Sequence, residues 1–228
     1  MLRVFWRLST DLAAQSLHAL ASGAGLAVSE IRARSFVMTL PFTETAVVRW
    51  LNVLRQLNVH LLQRELRALQ DRQISQLRPL LYESGVRYEP ELHGEIWSDV
   101  ASVYAVGFED CDALAPARAA ELEVFGAAAL WPHMPGWQRA RELGLTRIPS
   151  EVQLQTPADT PVNGPGLYHA VVRYQVDGVT YIDDPSMRLG MHGELDFAVR
   201  VAAAWGPVRS HNVLPQARYQ RALALRSS

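Results

Sequence analysis

The chain has 228 residues, 49% of them hydrophobic and 20% charged, with 22 basic residues against 23 acidic ones and a formal charge of −1. That length supplies one large domain or two small ones with ample core, and the balanced charge excludes an electrostatic nucleic-acid binder as a reading of the whole molecule. No apolar run reaches the roughly 20 residues a membrane-crossing helix needs, and Arg7 and Asp11 interrupt the N-terminal apolar stretch before a secretory core forms, so neither a membrane partner nor a signal peptide is expected.

Residues 2–9 alternate, with Leu2, Val4, Trp6 and Leu8 on one face, and predict a strand. Asp11 opens an Ala/Leu-rich helix to about Ala21, closed by Gly23 and Gly25. Residues 29–40 are expected to be extended. A helical pattern follows over 45–78, with Trp50, Leu54, Leu57, Leu61, Leu62, Leu66, Leu69 and Leu77 on a drifting stripe; Asn58 is a candidate break and Pro79 a stop. Unbroken, it is about 50 Å long, more than one small module can cover, so part of its apolar stripe is expected to meet a second copy or an assembly partner. The alternative is a break near Asn58 into two antiparallel pieces.

Residues 95–105 read as helical, Gly107 as an interruption and 109–130 as a second helix. Gly, Pro and Trp crowd 126–166, and 155–166 is a loop by composition. Residues 168–185 then carry two β-rich runs around Asp177-Gly178, the dipeptide of a two-residue type I′ hairpin. From Phe197 onward the chain has basic residues, including Arg200, Arg209, Arg218, Arg221 and Arg226, and no acid. This tail is the one place where nucleic acid or an acidic partner is considered, beside a solvated surface. A boundary after residue 88 divides an N-terminal strand–helix–strand module with its long helix (1–88) from an α+β module (89–228).

The chemistry is narrowed by two counts: one cysteine, Cys111, and no lysine. A disulfide framework, a thiolate zinc cluster, a Walker A loop and Schiff-base chemistry are thereby excluded. His18, His60, His93, His133, His192 and His211 have no metal-ligand spacing, so no metal and no cofactor are argued. Asp110 is placed to cap a helix that begins at Cys111, where N–H groups favour a thiolate and hold an oxyanion. Glu109, Asp110 and Asp112 oppose this, so a histidine partner is needed. A lone cysteine in an Ala-rich helix is otherwise a small buried hydrophobe. With Asp177-Gly178 as the whole turn, opposed hairpin positions sum to about 355. His169 and Asp184 then share one sheet face as diagonal neighbours, and Asp183 points to the other. Ala170, Val172, Tyr174, Val176, Val179 and Tyr181 form the core face. Trp97 is either a wall of the cleft or core.

These three pieces, GFEDCDALAPARAAEL (107–122), LYHAVVRY (167–174) and YIDDPSMRLGM (181–191), resemble the transglutaminase-like (papain-like) cysteine hydrolase superfamily, in the spelling of its bacterial and phage-encoded members. The resemblance covers about residues 95–192. It implies an α+β module with a Cys-bearing helix packed on an antiparallel sheet, Cys111 as nucleophile, His169 as general base and acid, and Asp184 orienting His169. The function implied is a cysteine-dependent amide hydrolase or acyltransferase acting on a protein or peptide amide. The alternative is an inactive structural or assembly protein on the same fold, as in a phage particle. The location expected is accordingly cytoplasmic or within such a particle.

Overall fold

A computed structural model of the chain describes residues 2–27, 31, 33–41, 43–90, 95–155 and 168–191. The expected loop beyond Gln155 and the basic tail from Phe197 lie outside the described residues. Strand β1 (Leu2–Arg7) buries Val4 and Trp6 on its alternating face. Helix α1 (Asp11–Gly23) is capped by Thr10, whose hydroxyl accepts from the Ala13 N–H at 3.0 Å. Strand β2 (Ser35–Leu40) pairs antiparallel with β1 from Leu2↔Leu40 to Arg7↔Ser35.

Helix α2 (Glu44–Gln70) begins at the Thr43 cap and ends at Asp71 and the left-handed Arg72, eight residues short of the expected end. Asn58 does not break it. Its buried Oδ1 accepts the Val100 N–H at 2.8 Å and so caps a neighbouring helix instead of its own turn. Trp50, Leu54, Leu57 and Leu62 are buried within the chain, while Leu61, Leu66 and Leu69 are half-buried. The shorter helix, about 40 Å at 1.5 Å per residue, removes much of the length mismatch that suggested a partner.

A 3₁₀ turn (Leu81–Glu83) and strand β3 (Arg87–Tyr88) precede strand β4 (Glu95–Ser98) and helix α3 (Val100–Val106). The expected helix over 95–105 is thus corrected to a strand and a helix joined at Asp99. That carboxylate accepts from the Ser102 N–H at 2.8 Å as the N-cap, and from the Ser9 N–H at 2.7 Å. Strand β5 (Phe108–Glu109) leads into helix α4 (Cys111–Phe125), a 3₁₀ turn (Gly126–Ala129) and helix α5 (Trp137–Glu142). Strands β6 (Ser150–Gln155), β7 (His169–Val176) and β8 (Val179–Asp183) and the short helix α6 (Pro185–Arg188) complete the described chain.

Helices are combined with a three-stranded antiparallel sheet, β6-β7-β8, a mixed sheet, β2-β1-β4, and the parallel pair β3-β5. This is an α+β arrangement. Helix α4 is the hub, packing on α2, α3, β4, β6 and β7. It is buried on every side from Cys111 to Leu122, which its run of alanines permits by letting neighbours approach closely. The expected boundary after residue 88 falls between β3 and β4. The β1–β4 pairing and a hydrophobic cluster containing Trp6, Leu54, Trp97, Cys111 and Tyr174 both cross that point. Among the described residues no helix is long and apolar enough to cross a membrane.

Candidate active site

Cys111 is delivered by a short series of backbone constraints. Helix α3 ends at Gly107 with φ +81°, a conformation that side chains resist, and the chain turns into β5. Asp110 then adopts an extended backbone and its side chain accepts the Asp112 N–H at 3.2 Å, making Cys111 the first helical residue of α4. The Asp112 amide is therefore already engaged and is not a free donor for an oxyanion. Cys111 is fully enclosed.

The hairpin delivers the other two side chains. Pairing runs from Val176↔Val179 to Val172↔Asp183, so opposed numbers sum to 355 as the two-residue turn requires. Both turn residues have positive φ, Asp177 at 52° and Gly178 at 77°, the type I′ signature. Beyond β8 the chain continues to Asp184, which sits diagonally from His169. Its Oδ2 is 2.7 Å from His169 Nε2, and its Oδ1 accepts the Met187 N–H at 3.1 Å as the cap of α6. Tyr174 packs inward against Tyr181, which is half-buried. Val179, expected on the core face, is 51% exposed because it borders the turn.

His169 connects the two sides. Burial disfavours its imidazolium, but hydrogen bonds with Asp184 and Cys111 and the negative charge of each outweigh that, raising its pKa from 6.5 to about 10. With Nε2 given to Asp184, Nδ1 is the nitrogen left for Cys111. Cys111, His169 and Asp184 are thus brought together as one contiguous set.

The acids around Cys111 divide into two groups. Glu109 turns towards β1 and β4, accepting from Ser98 Oγ at 2.6 Å and pairing with Arg7 at 3.1 Å. Burial raises its pKa to about 7; Ser98 and Arg7 pull it down and Asp110 pushes it up. The folded protein therefore holds this proton where the unfolded chain has released it. Stability contributed by the protonated form fades as pH rises from about 4.5 to 7. Glu109→Gln is expected to raise the thermal midpoint relative to wild type at pH 8 and to lose that advantage at pH 5. A midpoint difference independent of pH would contradict this.

Glu95, Asp110 and Asp112 form the second group, with ligand-type oxygens all within 4.8 Å of one another. Among the described residues, these are the ones whose spacing could hold a cation. However, the Trp97 indole N–H donates to Asp112 Oδ2 at 3.0 Å, and the Tyr168 hydroxyl lies 3.0 Å from Glu95 and 3.4 Å from Asp112. Burial, then the charges of Asp110 and Glu95, push Asp112 well above the usual carboxylate range. Trp97 is core, edge-on to Trp6 with centroids 5.2 Å apart, and does not wall a cleft.

Sequence reasoning missed a buried ionic cluster behind the hairpin. Arg118, fully buried, donates to Asp183 Oδ2 at 2.9 Å, Glu121 Oε2 at 3.0 Å and the Ala129 carbonyl at 2.8 Å. Its only sequence signal is a charged residue seven positions after Cys111 in an otherwise Ala-rich helix. No protein-family model, curated protein or solved structure matches the chain.

Proposed function

We propose that the chain is a cysteine-dependent amide hydrolase or acyltransferase on a transglutaminase-like module. The observation that carries this reading is His169 hydrogen-bonded to Asp184 at 2.7 Å through Nε2 and to Cys111 through its remaining side. A carboxylate on one imidazole nitrogen fixes the tautomer and favours the imidazolium, leaving the other nitrogen to exchange a proton with sulfur. In the reaction, the thiol proton is held on His169, as its raised pKa favours, and the Cys111 sulfur adds to the amide carbonyl carbon. As the C–N bond breaks, His169 returns that proton to the departing amine and a thioester remains on Cys111. Water or a second amine, deprotonated by His169, then attacks the thioester, giving hydrolysis or transfer. A protein or peptide amide is the substrate class proposed.

An activated ester tests the covalent step without knowledge of the natural substrate. Incubation with p-nitrophenyl acetate is expected to give a burst of p-nitrophenol and one acetyl group on Cys111 by mass spectrometry. Both are expected to be absent in His169→Ala, whose cysteine is intact. Equal acetylation of the two proteins would contradict a base role for His169.

A further inference from the structure

Two contacts join α4 to the hairpin, and their spacings match. Cys111 and Arg118 are seven residues apart, which in an α-helix is about 10 Å along one face, since seven residues fall only about 20° short of two turns. On the hairpin, His169 meets Cys111, and three residues further along β7 Val172 lies opposite Asp183. Three strand residues also span about 10 Å. The Arg118–Asp183 ion pair, 2.9 Å and fully buried on both sides, therefore joins the same helix to the same hairpin about 10 Å from the Cys111–His169 pair along the helix, although the pleat of β7 sends His169 and Val172 to opposite faces.

The Asp183 carboxylate is held more firmly than packing requires. Tyr82 Oη donates to its Oδ2 at 2.8 Å, Arg188 Nε donates to its Oδ1 at 2.7 Å, and the Arg118 guanidinium stacks 4.5 Å over the Tyr82 ring. A buried ion pair is a weak source of stability compared with apolar residues of the same shape, but it tolerates only one register. Asp183 is also the residue immediately before Asp184, so fixing the one fixes the backbone that carries the other.

We propose that Arg118 is a positioning residue: its buried pair with Asp183 sets the register of the hairpin on α4 and so holds His169 and Asp184 over Cys111. The proposal rests on the thiol–imidazole reading above and names a residue that never touches substrate. A displacement of about 1 Å at such a contact is enough to cost on the order of a hundredfold in rate.

The test separates fold from placement. In the full chain, Arg118→Gln with Asp183→Asn keeps hydrogen-bonding groups while removing both charges. Cooperative unfolding is followed by circular dichroism, and carbamidomethylation of the single cysteine by iodoacetamide is timed at pH 6 and pH 9. The folded double variant is expected to lose at least about tenfold in the ratio of the pH 6 rate to the pH 9 rate relative to wild type. Arg118→Lys, which restores the charge without the planar fork, is expected to recover part of it. A folded double variant with the wild-type ratio overturns the proposal. Should the double variant fail to fold, Tyr82→Phe decides: it removes one donor to Asp183, with a fall of about threefold expected and an unchanged ratio overturning the proposal. A wild-type protein that itself behaves as a free thiol overturns the thiol–imidazole reading first, and is recognised because no variant is needed to see it.

Discussion

Arg118→Ala is expected to lower the free energy of unfolding by about 3–5 kcal/mol, measured by denaturant titration at neutral pH. The magnitude follows from what the guanidinium leaves behind. Asp183 retains Tyr82 and Arg188 but loses its fully buried cation, and the Ala129 carbonyl loses a donor. Glu121 is bonded by the Leu81 N–H at 2.6 Å and the Tyr104 hydroxyl at 2.6 Å, and burial already raises its pKa against the opposing pull of Arg118. Without Arg118 that pull disappears, so Glu121 becomes harder to ionise and the variant's deficit is expected to grow as pH rises. A loss within about 0.5 kcal/mol, typical of an exposed substitution, would mean that the cluster is not held as described.

Asp184→Asn is expected to return the His169 pKa from about 10 towards its ordinary 6.5, read by NMR titration of the imidazole ring. Asparagine still accepts the Met187 N–H through its carbonyl oxygen, so the cap of α6 survives, while its amide group replaces the oxygen facing His169 and the change removes the charge together with that acceptor. Stability should follow. A histidine whose folded pKa lies above its unfolded one stabilises fully below about pH 6.5 and loses that contribution as pH rises towards 10. Wild type should therefore lose a few kcal/mol across this window, and the variant distinctly less. An imidazole that titrates near 6.5 in the wild type would remove the electrostatic basis of the site.

The features read correctly from sequence are those fixed by local chemistry. Asp177-Gly178 accepts positive φ at both positions, which sets a two-residue turn, and the turn alone sets the register that places His169 beside Asp184. Asp110 before Cys111 begins a helix because its side chain accepts a helix N–H, and the helix expected from Asp11 starts there, with Thr10 supplying its cap. What was misread depended on distant partners. Residues 95–105 space Trp97, Val100 and Val103 at helical intervals, yet Glu95–Ser98 extends because β1 offers it a ladder. Asp99, in the middle of that span, is the cap that separates the two elements. Strand β6 buries only Val152 fully, and its pairing with β7 is what holds it extended. Asn58 looked like a helix breaker because its side chain competes for backbone hydrogen bonds; that same capacity is spent on Val100 of α3. Arg118 and Asp183 are 65 residues apart, and no local pattern announces a pair of buried charges.

The chemical coupling of Cys111 to His169 is tested most directly by the pH dependence of iodoacetamide alkylation in wild type and His169→Ala between pH 5 and pH 9. Because Cys111 is enclosed, the reagent must be small and the informative quantity is the profile rather than the absolute rate. A free thiol has lost about 300-fold of its thiolate by pH 6, so its rate climbs nearly tenfold per pH unit up to about pH 8. The wild-type rate is expected to stay within about tenfold between pH 6 and pH 9, and His169→Ala is expected to show a steep free-thiol profile. A wild-type profile that is already steep and is unchanged by the substitution would contradict this coupling.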